Sequence, residues 1–192
     1  MAWLCFNGVG WIHRNDKEEE MKAFFLTPLV IFLFVVFLFM AKMLETDNKK
    51  DSPIIGKEMP EFDLPAGVAT DSSFNNNDLM GKYTLVNVFA SWCIPCKIEH
   101  EQLLKIKEDG KLPVYGINWK DDKQIVEKWF EQKGNPFTKV GEDKEGKVIV
   151  KLGVTGAPET FLISPEGKIL YRYAGVLNES IYNNEILPLV KD

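Results

Sequence analysis

The chain has 192 residues, 45% of them apolar and 27% charged, which suits a packed core and excludes a disordered chain. A net charge of -5, with no long basic run, excludes a nucleic-acid footprint. The three cysteines, Cys5, Cys93 and Cys96, are too few for a disulfide framework.

Residues 1–22 read as a tail that belongs to no domain. Met21 opens MKAFFLTP, a short basic start that feeds straight into apolar sequence and reads as an alternative beginning of the chain. From Ala23 to Ala41 the chain runs 19 residues without a charge. As a helix these span about 28 Å, close to the roughly 30 Å hydrocarbon core of a bilayer. A buried helix of a soluble domain would show a polar face, and this run has none. A cleaved signal peptide would be shorter and end in small residues, whereas this run continues into Lys42-Met43-Leu44-Glu45. The expectation is a single transmembrane anchor over 23–41, with Pro28 near its start, where a missing N–H is tolerated. Arg14, Lys17 and Lys22 before the run balance Lys42, Lys49 and Lys50 after it, so basic charge does not orient it.

Residues 42–58 are polar and read as a linker, which leaves 59–192 as one domain. Met59 to Pro65 reads as a short extended piece fenced by prolines, and Asn75 to Asp78 as a turn. Tyr83 to Phe89, rich in β-branched and aromatic residues, predicts a buried strand. Helix formers follow from Lys97 to Lys107, with Gly110 as the stop. Pro113 to Ile117 predicts a second strand. Asp121 to Gln132 predicts a helix with Ile125, Val126, Trp129 and Phe130 on one face, ended by Gly134-Asn135-Pro136. Thr160–Ile163 and Lys168–Tyr173 flank Ser164-Pro165-Glu166-Gly167 as a hairpin. A last helix is expected from Glu179 to Val190, capped by Asn178. Strands that alternate with helices, then a hairpin and a helix, give a single α/β domain.

The chemistry concentrates in Ser91-Trp92-Cys93-Ile94-Pro95-Cys96-Lys97. Haem attachment needs a histidine after the second cysteine, and position 97 is lysine. A closed zinc site needs four ligands; this pair supplies two, and the other candidates are His100 and the distant Cys5 and His13. A structural staple that closes so short a loop removes only about 2 kcal/mol of unfolded-chain entropy. Disulfide exchange fits the context best. A strand ending at Phe89 and a helix beginning near Cys93 place that sulfur at a helix N-terminus, where unpaired N–H groups favour the attacking thiolate. Pro95 suits the first turn, and Cys96, further along the helix, suits resolution of the mixed disulfide.

Strand, Trp92-Cys93-Ile94-Pro95-Cys96 and helix together resemble the thioredoxin superfamily. Gly156-Ala157-Pro158-Glu159-Thr160-Phe161, followed by LISPEGKILYRYAG, is similar to the thiol:disulfide interchange proteins of cytochrome c biogenesis, the DsbE/CcmG group. MPEFDLP, ASWCIPCKIEH, GINWKDD and the N-terminal apolar run match that group too, so the resemblance covers Met21 to the C-terminus. It implies a thioredoxin-like fold, a central mixed sheet flanked by helices, behind an N-terminal extension and one transmembrane helix. It also implies a cis peptide at Ala157-Pro158 facing the site, and acidic residues near the thiols at Glu99 and Glu159. On a helix Glu99 shares a face with Cys96 and Leu103, an unusual place for an acid. The group often has tyrosine before its Gly-Ala-Pro; Thr155 stands there in this chain.

A stabilised Cys93 thiolate makes a better oxidant, and Lys97 and the helix N-terminus push that way. Ionised Glu99 and Glu159 push toward a reductant, and two acids against one lysine favour reduction. The resemblance implies a reductant of apocytochrome c cysteines, supplied by a membrane thiol reductase, in the bacterial inner membrane. Reduction is needed outside the cytoplasm, which puts residues 42–192 on the periplasmic side. A reductant of other envelope disulfides is the alternative. The cysteine pair carries two electrons itself, so neither cofactor nor metal is expected.

Overall fold

Strand β3, Thr84–Phe89, forms where β-branched and aromatic residues are dense, and every one of its side chains is buried in this computed structural model. The structure describes residues 13–44, 52–68 and 72–191. Residues 1–12, with Cys5, and 45–51 of the expected linker lie outside them.

The N-terminal unit contains helix α1, His13–Leu44. It begins earlier than the expected anchor, so Pro28 lies inside the helix and not near its start. Side chains of α1 are described over residues 27–42, and Leu29 to Met40 are each exposed. Among the described residues no helix is long and apolar enough to cross a membrane.

In the second unit β3 pairs in parallel with β4, Val114–Trp119, and antiparallel with β6, Glu159–Ile163. Strand β5, Lys139–Asp143, extends one edge in parallel and β7, Ile169–Ala174, closes the other, for the order β5-β4-β3-β6-β7. A small antiparallel pair, β1 (Asp63–Leu64) and β2 (Phe74–Asn75), precedes the sheet. Alternation along β3 divides the core. Leu85 and Phe89 pack with Cys93, Cys96, Leu103 and Ile106 of α2 (Ile94–Asp109) and with Val126 and Phe130 of α3 (Lys123–Lys133). Val86 and Val88 pack on the other face with Phe62, Phe74, Phe161 and α4 (Lys147–Lys151).

Most expected elements stand within a few residues of their places. The hairpin turn is held by the Ser164 hydroxyl, which accepts from Glu166 N and Lys168 N at 3.3 and 3.2 Å. Asn178 caps the last segment by accepting from Ile181 N at 3.0 Å. There the expected continuous helix breaks up: α5 covers Glu179–Ile181, a π-helical turn Tyr182–Ile186 and a 3-10 turn Leu187–Leu189. Pro188 supplies no N–H to an α-helical ladder. Ile125 is 56% exposed, outside the buried face formed by Val126 and Phe130. Strand β5 and helix α4 were not expected. The linker is shorter than 42–58, because Ser52 is buried, Gly56 N donates to Ile169 O at 2.8 Å and Lys57 O accepts from Ile169 N at 2.9 Å.

Gly116 of β4 lies under Phe89, and a Cβ there would stand 2.7 Å from Phe89 Cε1 and 3.0 Å from Phe137 Cγ. Gly116→Ala is expected to cost about 1–3 kcal/mol through overpacking, read as an earlier urea unfolding midpoint by circular dichroism.

Candidate active site

Cys93 follows β3 by a short loop and serves as the N-cap of α2. Its Sγ accepts from Cys96 N at 3.2 Å, so an orphan amide of the first helical turn points at the sulfur. Ile94 opens the helix and Pro95 follows within the first turn, where its missing N–H leaves no bond unmade. Cys93 and Cys96 are joined as a disulfide with their Cα atoms 5.3 Å apart. Their exposures, 5% and 2%, fall in the expected order but differ little. Lys97 is exposed.

The loop before the pair is braced from the β4–α3 connection. Ser91 Oγ donates to Asp121 Oδ1 at 2.7 Å, and Ser91 N donates to the other oxygen of that carboxylate. Trp92 Nε1 donates to Lys120 O at 3.2 Å, and its ring meets Trp119 edge to face at 5.7 Å. The role of Asp121 as the brace is not among the sequence expectations, where GINWKDD marks a likeness alone. The signal available was an acid two residues after a strand, with the helix N-cap Asp122 next to it.

From the other side comes the connection between α4 and β6. The Ala157-Pro158 peptide is cis, and Ala157 O lies 3.4 Å from Cys93 Sγ. In the disulfide that sulfur carries no proton; once reduced, the thiol can donate to this carbonyl.

The two acids part company. Glu99 lies on the core face of α2, 1% exposed, with Asn87 Nδ2 donating to Oε1 at 2.8 Å and Leu177 N to Oε2 at 2.9 Å. Burial pushes its carboxyl up to about 7, against the pull of those two donors toward the ionised form. Asn87 Nδ2 also donates to Thr160 Oγ1 at 3.0 Å, which ties this network to β6. Glu159 is fully buried with Phe161 and Ile163 facing the opposite core, and it is ion-paired with Arg172 of β7. The expected pressure of two acids on the thiols is therefore corrected. Glu99 is on the cysteine side of the sheet, whereas Glu159 is turned away and charge-matched.

His100, the nearest metal candidate, is committed elsewhere. Its Nε2 faces Gly134 O at 3.1 Å and Lys133 O at 3.4 Å, which places a proton on that nitrogen, and the ring packs on Trp129 at 4.7 Å. Burial lowers its pKa against the pull of those carbonyls. Among the described residues no three metal-ligating side chains gather.

A helix N-cap sulfur bonded to a second cysteine one turn on, with a buried carboxyl on the same helix face as that second cysteine, can exchange disulfides. The Redoxin family matches residues 54–186. The chain belongs to that family. It is 40% identical over 169 residues to the thiol:disulfide interchange protein DsbE of Pseudomonas aeruginosa, covering 88% of this chain and 93% of that one. To the DsbE of Escherichia coli K12 it is 39% identical over 171 residues, 85% of this chain and 91% of that one. The solved thioredoxin domain of a Bacteroides vulgatus thiol-disulfide oxidoreductase superposes with a TM-score of 0.58 at 25% identity, covering 69% and 95% of the two chains. The redoxin domain is thus a thiol-disulfide oxidoreductase of the DsbE group with a thioredoxin-like fold.

Glu99 gives the domain a pH signature. Its folded pKa lies above the ordinary value of 4.5, so the native state holds a proton that the unfolded chain has lost between pH 4.5 and about 7. Stability falls as pH rises through that window, by on the order of 3 kcal/mol from this group alone. Urea unfolding at a series of pH values should show that decline, and Glu99→Gln should flatten it.

Proposed function

We propose that this chain is a membrane-anchored periplasmic reductant that keeps the cysteines of apocytochrome c as thiols before haem attachment. The observation that carries exchange is Cys96 N donating to the Cys93 sulfur at the start of α2. It makes Cys93 the attacking thiolate and Cys96 the thiol that resolves the mixed disulfide. The site stands at the surface: Trp92, Ile94 and Ile98 around it are 53%, 72% and 65% exposed. A cavity of about 580 Å³, lined by residues such as Glu61, Phe62, Asn76 and Lys151, has neither cysteine in its wall. The exposed apolar side chains beside the thiols support a substrate disulfide presented on a polypeptide, such as a Cys-x-x-Cys segment of an unfolded cytochrome.

Reduction leaves substrate thiols and an oxidised Cys93–Cys96 pair, so a membrane thiol reductase has to return two electrons. The direction rests on Glu99 alone, now that Glu159 is matched by Arg172. When ionised, Glu99 disfavours a thiolate beside it and makes the pair a stronger reductant. Anchoring is supported by the uncharged run from Ala23 to Ala41 and by the exposed apolar side chains from Leu29 to Met40. The need for reduction outside the cytoplasm supports the periplasmic side.

The full chain, equilibrated with dithiothreitol or glutathione mixtures and trapped by acid and alkylation, is expected to show a potential near the thioredoxin value of about -270 mV. A value near about -120 mV would make it an oxidant and remove the apocytochrome reading. Cys93→Ser should abolish reduction of an oxidised Cys-x-x-Cys-His peptide; equal rates on unrelated envelope disulfides would favour the broader reductant.

Carbonate-washed membranes should retain the full chain, and a chain begun after Leu44 should appear in the supernatant. Release of both would refute the anchor.

A further inference from the structure

Arg172 takes no part in the exchange chemistry, yet all three of its donor nitrogens are engaged and it is 6% exposed. Nε meets Glu159 Oε1, Nη2 donates to Gly153 O at 2.6 Å and Nη1 donates to Ser52 Oγ at 3.0 Å. The other oxygen of Glu159 accepts from Thr155 N at 3.3 Å. The buried pair thus grips the connection between α4 and β6 at two backbone points, Gly153 and Thr155. Two residues beyond Thr155 stands the Ala157 carbonyl, 3.4 Å from Cys93 Sγ. Gly153 N and Val154 N also donate to Val150 O and Ile149 O at 3.0 Å, and Val154 and Ala157 pack on the core, but Thr155 is exposed and its amide is bonded to Glu159.

We propose that Arg172 is a positioning residue for thiol–disulfide exchange: with Glu159 it holds residues 153–157 so that the Ala157 carbonyl stays against Cys93. The carbonyl oxygen carries partial negative charge. It accepts a bond from the Cys93 thiol and repels the Cys93 thiolate, so it opposes the amide of Cys96, which favours the thiolate. Arg172 acts through the loop to set the balance between the two forms of the attacking sulfur. Ser52 ties the segment entering the domain to the same guanidinium. A buried charge pair is seldom a gain in stability over apolar packing, which leaves placement of the loop as what this one supplies.

The inference rests on Cys93 and Cys96 being the exchange pair. Its test reads the thiol directly, with no disulfide substrate, so its outcome is separate from that of the apocytochrome experiments. The full chain carrying Cys5→Ser is reduced in detergent, and iodoacetamide alkylation of Cys93 is followed against pH, with the adduct placed by mass spectrometry. Melting is recorded in parallel. Arg172→Lys keeps a charge opposite Glu159, but one ammonium cannot reproduce the planar fork that reaches Glu159, Gly153 and Ser52 together. The expected result is an alkylation profile moved to lower pH, with alkylation near pH 6 faster by about fivefold. Ser52→Ala leaves both charges paired and should move the profile the same way by less. A profile that superposes on that of the parent chain, whether or not the melting temperature falls, would make Arg172 merely structural. Should Arg172→Lys not fold, an unmoved profile in Ser52→Ala overturns the proposal.

Discussion

Strand β3 is hydrogen-bonded along both edges and buried on both faces, and the exchange site inherits its position from that constraint. A strand so enclosed cannot shift register by one residue without moving Leu85 and Phe89 into the opposite core. Asn87 is held beneath the site by the same register, within reach of Glu99 and Thr160. The strand ends at Phe89, stacked on Phe137 at 4.5 Å, and only Ala90 to Trp92 separate it from the Cys93 cap. A cysteine delivered this way has little freedom of its own. Its approach to the Cys96 amide and to the Ala157 carbonyl is set by how β3, α2 and β6 pack.

The sheet also works as an electrostatic divider. Two glutamates that look equivalent in sequence end on its opposite faces, because Glu159 follows the alternation of Phe161 and Ile163 while Glu99 follows the helical stripe of Cys96 and Leu103. One is paired with a guanidinium and is a fixed part of the fold. The other has only neutral donors, so burial dominates and its charge can change near neutral pH. Only the second lies on the face that carries the cysteine pair. Proton and electron chemistry are thereby confined to one face, with the far face left to hold the loop.

What was legible in the sequence followed local pattern. The β-branched run of β3, the Gly110 stop of α2 with φ of 67°, and the Ser164–Gly167 hairpin all follow from short-range chemistry. The cysteine pair at a helix start was equally plain. Strand β5 was missed because Lys139-Val140-Gly141-Glu142-Asp143 has poor strand formers; it exists because β4 offers a free edge and Gly141 lets Leu64 and Phe74 approach closely. The five-residue α4 is too short for a periodicity to appear. Ile125 fitted a helical stripe whose actual width is set by what α3 meets. The pairing of Glu159 with Arg172 and the docking of Ser52 depend on partners 13 and 120 residues away in sequence, which no local pattern encodes.

Three connections converge on the thiols, and each is fixed by a different kind of bond. The loop before Cys93 is tied by Asp121 to the end of β4, the helix after it is capped by Cys93 itself, and the loop facing it is clamped by a buried ion pair. Asp121 ties the first to the end of β4 and Arg172 ties the third to β7, while the cap lies within α2 itself. A site built on exposed loops would ordinarily be mobile. Here the backbone around the sulfurs is bonded at Ser91, Cys96, Thr155 and Gly153, while the apolar surface of Trp92, Ile94 and Ile98 is left open beside it. Rigid thiols beside an uncommitted apolar surface suit thiol–disulfide exchange, because the chemistry of the protein's own disulfide stays constant whichever disulfide approaches it.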